Sequence, residues 1–210
     1  MHGYGIDDLR YAAAVGDNDE KTCTRMLREA ASARGYGNAQ PMLYRVDPDF
    51  WRHGYAFHAD DGLFFAGDKG YYKYSTTGYD ADSAFRYVMQ DSARVFRPLD
   101  EIPNTYAMSW SDIRMPLETC ERLGLEDENS EPDIYESGEA VTSTVGLAML
   151  GRRLGYDATE MDIPQYMGHF REFAVYDSHT VKLFEVTYDD NEEIIPLSRR
   201  FDRLSADVRY

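Results

Sequence analysis

The segment that most constrains the fold is residues 139–188, in which one helix precedes three strands. Residues 139–154 are rich in Ala, Gly and Leu and end at Gly155, which predicts a helix with a C-terminal glycine. Small faces at Gly146 and Gly151 allow this helix to pack closely against a sheet. The three predicted strands, joined by polar connections, are residues 157–162, 171–176 and 181–188.

Helical and strand patterns also alternate in the earlier part of the chain. The predicted elements there are helices over 18–34, 80–90 and 116–124, strands over 42–46, 62–66 and 93–99, and an acidic linker over 126–138. This order predicts an α+β protein. We expect an N-terminal helical segment over residues 1–40, a main domain over 41–188 and a C-terminal tail over 189–210 packed on that domain.

The amino-acid composition limits the classes of protein to which this chain can belong. The 210 residues suit one domain with appendages or two very small domains, and a hydrophobic fraction of 43% excludes global disorder. A formal charge of -16 disfavours nucleic-acid binding and adhesion to an anionic membrane. Two distant cysteines, Cys23 and Cys120, form neither a disulfide framework nor a zinc knuckle. With no apolar stretch near ~20 residues and no visible signal peptide, we expect a cytoplasmic protein.

Metal chemistry has little support in the sequence. The nearest approach to a ligand cluster is His53, His58, Asp60 and Asp61, whose spacing fits no zinc signature. A solvated loop is the simpler interpretation of these residues. The chain also lacks a Walker loop and a Gly-x-Ser-x-Gly nucleophile elbow. We therefore expect no metal.

Three sequence features together suggest one kind of chemical reaction. Arg45 on an early strand can fork two hydrogen bonds onto a phosphate, and Glu172 on a late strand can stabilise an oxocarbenium-like centre. Between them lies an aromatic patch able to stack on a planar ring, formed by Phe64, Phe65, Tyr71, Tyr72 and Tyr74. Cleavage of NAD at its nicotinamide–ribose bond requires all three functions. Each feature also has an ordinary structural interpretation, as a surface ion pair, core aromatics and a solvated strand face.

The same residues resemble the ADP-ribosyltransferase superfamily, and more closely the transferase-like domains encoded with phage and prophage head-morphogenesis (MuF-type) proteins. Residues 26–45 are similar to that family's entry helix and first strand, and 62–75 to the strand and helix carrying its nicotinamide-sandwiching aromatics. Residues 154–182 resemble its closing block, and 186–210 a tail frequent in prophage members. The resemblance touches most of residues 26–210, with a gap over 100–137.

The resemblance implies a split β-sheet core and NAD as the substrate of a mono-ADP-ribosyltransferase. It places Arg45 against the NAD phosphates or adenosine ribose, Phe64 and Tyr74 around the nicotinamide, and Glu172 on the nicotinamide ribose as the catalytic acid. The partner it implies is an acceptor protein. The implied biological role is that of a phage- or prophage-related effector in the cytoplasm of a bacterial or phage-infected cell.

Three departures from the family pattern matter. Val46 replaces the glycine that lets NAD approach the backbone, and Phe64 lacks the hydroxyl of the usual tyrosine. Phe170 stands two residues before Glu172, where enzymes that modify arginine carry a second acid, so arginine is disfavoured as the acceptor. Asp162 and Glu160 are the reserve candidates for the catalytic acid. The alternative functions are a catalytically inactive binding module and an NAD glycohydrolase.

Overall fold

The computed structural model describes residues 9–45, 62–67, 85–125, 138–165, 168–177 and 179–186. Its helices are α1 (Leu9–Gly16), α2 (Glu20–Ser32), α3 (Pro98–Glu101), α4 (Leu117–Leu123) and α5 (Thr144–Arg153). Its strands are β1 (Met42–Arg45), β2 (Leu63–Ala66), β3 (Phe85–Met89), β4 (Val95–Phe96), β5 (Tyr106–Ser109), β6 (Asp112–Pro116), β7 (Glu139–Thr142), β8 (Ala158–Gln165), β9 (Gly168–Val175) and β10 (Val181–Val186). The prediction of an α+β protein is confirmed.

The chain divides into two compact units. The first contains Met1–Ala56, Asp68–Ser92 and Val181–Tyr210, and the second contains Phe57–Gly67 and Ala93–Thr180. Among the helices of the described ranges, none has the length and apolar character needed to cross a membrane.

The first unit contains α1, α2 and three antiparallel strands in the order β10-β3-β1. Helix α2 begins after Asp19, whose side chain accepts a hydrogen bond from the Thr22 N–H at 3.0 Å. Its apolar stripe, which includes Cys23 and Leu27, is buried. The predicted helix over 18–34 is therefore confirmed, two residues shorter at each end, and the predicted strand over 42–46 is confirmed for Met42–Arg45.

The prediction of a helix over 80–90 is wrong for residues 85–89, which form β3. This strand lies between β1 and β10, with Leu43 opposite Tyr87 on one side and Lys182 opposite Val88 on the other. A segment of only five residues has no decisive periodicity of its own, so pairing with two distant strands determines its conformation.

In the second unit, the strands run in the order β2-β9-β8-β4, with β4 parallel to β8 and the other pairs antiparallel. A separate antiparallel sheet has the order β5-β6-β7. Helix α4 follows Pro116 and ends at Gly124, whose left-handed φ of 60° confirms the predicted glycine stop. The strand predicted over 93–99 is confirmed only for Val95–Phe96, because Pro98 begins α3.

The helix predicted to begin at Glu139 begins instead at Thr144, after the strand β7. The Ser143 hydroxyl caps it by accepting a hydrogen bond from the Gly146 N–H at 3.2 Å. Close packing of α5 on the sheet is confirmed at Gly151, where a Cβ would overlap the Thr159 hydroxyl and lie 2.7 Å from the Tyr176 hydroxyl. The Tyr176 hydroxyl in turn donates a hydrogen bond to the Ala148 carbonyl at 2.6 Å, which joins the helix to the residue that directly follows β9.

Candidate active site

Strands β8 and β9 have two faces with different chemistry. Because side chains alternate along a strand, Glu172 shares one face with its cross-strand neighbours Met161 and Ala66. Helix α5 packs over this face, where Ala148 contacts a cluster of Ala174 and Tyr176. Among the described residues of β2, β8 and β9, Glu172 is the only carboxylate on this face.

Glu172 is buried, with 8% of its surface exposed. Its Oε2 atom has no hydrogen-bond partner within the described part of the chain. Removal from water raises the pKa of Glu172 to about 7, and a hydrogen bond with the Thr144 side chain acts in the opposite direction. A buried carboxylate of this kind is costly to the fold, and such groups cluster at functional sites.

Thr144 is the residue of this site that the sequence analysis missed. It is the first residue of α5 and is 5% exposed, and its N–H donates to the Trp110 carbonyl at 2.8 Å. The helix was predicted to start five residues earlier, so Thr144 was placed inside it. The available signal was the pair Ser143-Thr144, since serine and threonine are typical of helix N-termini.

Phe64 lies on the same face as Glu172. It is opposite Ala174 on β9, so it is a diagonal neighbour of Glu172, and the Cβ atoms of such pairs typically lie less than about 8 Å apart. Its ring is half-buried and packs against the cluster that contains Ala148, Ala174 and Tyr176. The structure thus brings together two of the four predicted site residues, one flat ring and one carboxylate.

The two reserve acids lie on the opposite face of the sheet. The Glu160 carboxylate accepts hydrogen bonds from Arg97 at 2.8 Å and Arg171 at 3.1 Å. Asp162 is exposed, and its Oδ1 lies 3.4 Å from Nδ1 of His169. Glu160 therefore has two cationic neighbours and Asp162 has a histidine, whereas Glu172 has no basic neighbour among the described residues of its face. Glu172 is therefore the better candidate for a catalytic acid.

The other two predicted site residues are Arg45 and Tyr74. Arg45 ends β1 in the first unit, where it is half-buried and opposite Phe85. Tyr74 lies outside the described residues. So do Tyr71, Tyr72, the segment with His53, His58, Asp60 and Asp61, most of the acidic linker, and the predicted tail over 189–210.

Within the described ranges, no three His, Cys, Asp or Glu side chains are grouped so that they could hold a metal ion. Comparison with known proteins identifies no relative, because no protein-family model, no curated protein and no solved structure matches this chain.

Proposed function

We propose that this protein is an NAD-dependent mono-ADP-ribosyltransferase that modifies a protein target. The observation that carries the proposal is the Glu172 carboxylate, buried on one sheet face beside the ring of Phe64, without a cationic neighbour among the described residues there. The local arrangement suits a reaction in which positive charge develops next to a flat ring. The resemblance of the sequence to phage- and prophage-encoded transferase domains supports the same conclusion.

In the proposed reaction, the bond between the nicotinamide nitrogen and C1′ of the ribose breaks. Nicotinamide leaves with the bonding electron pair, and the ribose gains oxocarbenium character. The Glu172 anion stabilises that charge, and its effect is large because water is excluded around it. A nucleophile of the acceptor protein then attacks C1′ and loses a proton to solvent.

The other predicted residues would bind the dinucleotide. Phe64 would stack on the nicotinamide together with Tyr74, and the Arg45 guanidinium would contact the phosphates. This assignment corresponds to an ADP-ribosyltransferase-like split sheet, with the two phosphates and the nicotinamide held by different strands. The protein would act as an effector in the cytoplasm of a bacterial or phage-infected cell.

The test is transfer of labelled ADP-ribose from NAD to proteins of a bacterial lysate. We expect labelled bands with the wild type, and at least a 100-fold loss with Glu172→Gln at unchanged NAD affinity. Glu160→Gln is the matched control, because it removes a carboxylate from the opposite face of the same strand pair. Equal labelling by wild type and Glu172→Gln would exclude the proposed role of Glu172.

Two other results would select the alternative functions. Release of nicotinamide without labelled protein would identify an NAD glycohydrolase, in which water replaces the acceptor. Absence of binding heat at millimolar NAD would identify an inactive binding module, as the replacement of the usual glycine by Val46 suggests.

A further inference from the structure

The first unit contains an open groove between α2 and β3 that the proposed transferase reaction does not use. Its volume is about 680 Å³, within the range of small-molecule sites. The charged side chains that line it are Lys21, Arg25, Arg28, Arg86, Glu20 and Glu29. We call this the cationic groove, because four positive groups face two negative ones.

This local excess of positive charge is unusual for the chain. The chain has a formal charge of -16, whereas the lining of the groove has four cationic side chains and only two carboxylates. A concave surface with an excess of one sign of charge attracts ions of the opposite sign. The cationic groove is therefore suited to an anionic ligand.

The spacing of the cations indicates what kind of anion fits. Lys21, Arg25 and Arg28 lie on one face of α2, and at 1.5 Å per residue they extend over about 10 Å. That length matches a chain of two or three phosphates better than a single phosphate. The ion pair between Arg25 and Glu29 is mostly exposed, so a more highly charged ligand can replace it at little cost.

A second cavity of about 450 Å³, with fewer charged residues in its lining, adjoins the cationic groove and shares Arg28 and Glu29 with it. Tyr36, Met42, Val88 and Phe184 provide its apolar lining. The half-buried ring of Tyr36 offers a flat surface for a planar ligand group. Together, the two cavities suit a ligand with a polyphosphate at one end and a flat ring system at the other.

We propose that the cationic groove and the adjoining cavity bind a nucleoside di- or triphosphate. The phosphates contact Lys21, Arg25 and Arg28, and the base lies against Tyr36. This site is distinct from the NAD contact proposed for Arg45. Arg86 on β3 pairs with Tyr44 on β1, so these two side chains lie on the same face of the sheet. Arg45 follows Tyr44 on β1, and side chains alternate along a strand, so Arg45 and Arg86 lie on opposite faces.

Calorimetric titration of the full chain with ADP and with tripolyphosphate tests this proposal without any measurement of NAD turnover. We expect both probes to bind with a Kd below about 1 mM, and ADP to bind more tightly. Arg25→Ala and Arg28→Ala should each weaken both probes about fivefold to tenfold. Tyr36→Ala should weaken ADP by about fivefold and leave tripolyphosphate unchanged, because only the base contacts the ring.

Arg34→Ala is the matched control, since it removes the same charge from an exposed residue just after α2 that does not line the groove. Its affinity for both probes should stay within twofold of the wild type. The proposal is overturned if neither probe binds, if Arg34→Ala weakens binding as much as Arg28→Ala, or if Tyr36→Ala weakens both probes equally. Tighter binding of a single-stranded RNA than of ADP would instead identify a nucleic-acid surface.

Discussion

In the second unit, the Glu172 carboxylate is buried under α5, and its pKa is raised to about 7. In the first unit, four Lys and Arg side chains line an open groove between α2 and β3. Each exposed charge is screened by water, so several are needed to bind one ligand. A buried charge is screened little by water, so its electrostatic interactions are strong, but its removal from water lowers the stability of the folded state. The predictions below test this difference.

The largest effect on stability should come from ionisation of Glu172. Its pKa is raised from 4.5 to about 7, so the folded state binds more protons than the unfolded state between these pH values. The free energy of unfolding should therefore fall by about 3 kcal/mol as pH rises through this window. The proposed transferase activity should rise over the same range, because the anion of Glu172 is the form proposed to act. Urea denaturation at several pH values measures the first effect, and initial rates measure the second.

Glu172→Gln is the matched comparison for this pH dependence. The variant should lose the fall in stability between pH 5 and 7 while retaining the contributions of other groups. If the free energy of unfolding depended on pH in the same way for the wild type and the variant, Glu172 would be solvated. The proposed difference between the buried charge of the second unit and the exposed charges of the first would then not hold.

A smaller loss should follow from Gly151→Ala, which places a methyl group where α5 touches the sheet. A Cβ there would lie 2.7 Å from the Tyr176 hydroxyl and 3.1 Å from the Phe96 ring. Overpacking of this kind costs about 1–3 kcal/mol. Gly16→Ala, in the first unit, is the control, because nothing lies within 4 Å of its added Cβ. Its stability should be unchanged or higher by urea denaturation.

Thr144→Val should raise the pKa of Glu172 further above 7, because it removes the hydrogen bond that favours the anion. We expect a loss of about 1 kcal/mol in stabilisation of the anion, seen as a shift of the pH–rate profile to higher pH. Thr144→Ser should restore the profile. Thr142→Val is the control, since the buried Thr142 hydroxyl has no hydrogen-bond partner in the described residues. An unchanged profile in Thr144→Val would remove Thr144 from the site.

The smallest effect on stability should come from the exposed groove. Glu29→Gln breaks an ion pair with Arg25 whose side chains are 65% and 62% exposed, so it should cost less than ~0.5 kcal/mol. The same substitution should tighten ADP binding about twofold, because it removes a negative charge from the groove lining. Weaker ADP binding by Glu29→Gln would indicate that Glu29 contacts the ligand directly.

Several elements were predictable because their signals are local. Helix α2 has an acidic cap and an apolar stripe, α4 lies between a proline and a glycine, and β8 to β10 have residues typical of strands. The position of Glu172 on a late strand was predictable for the same reason. The start of α5 was not, because Glu139–Thr142 forms a strand only by pairing with β6.

The sequence alone determined the α+β class, the caps of its better helices and the presence of three acids, Glu160, Asp162 and Glu172, on neighbouring strands. Only the tertiary structure decided that β3 is a strand and that Glu172 faces α5 while Glu160 faces Arg97 and Arg171. Strand pairing joins residues far apart in the chain, and the element that covers each face determines which carboxylate loses its water. Neither effect is encoded in the local pattern of residues.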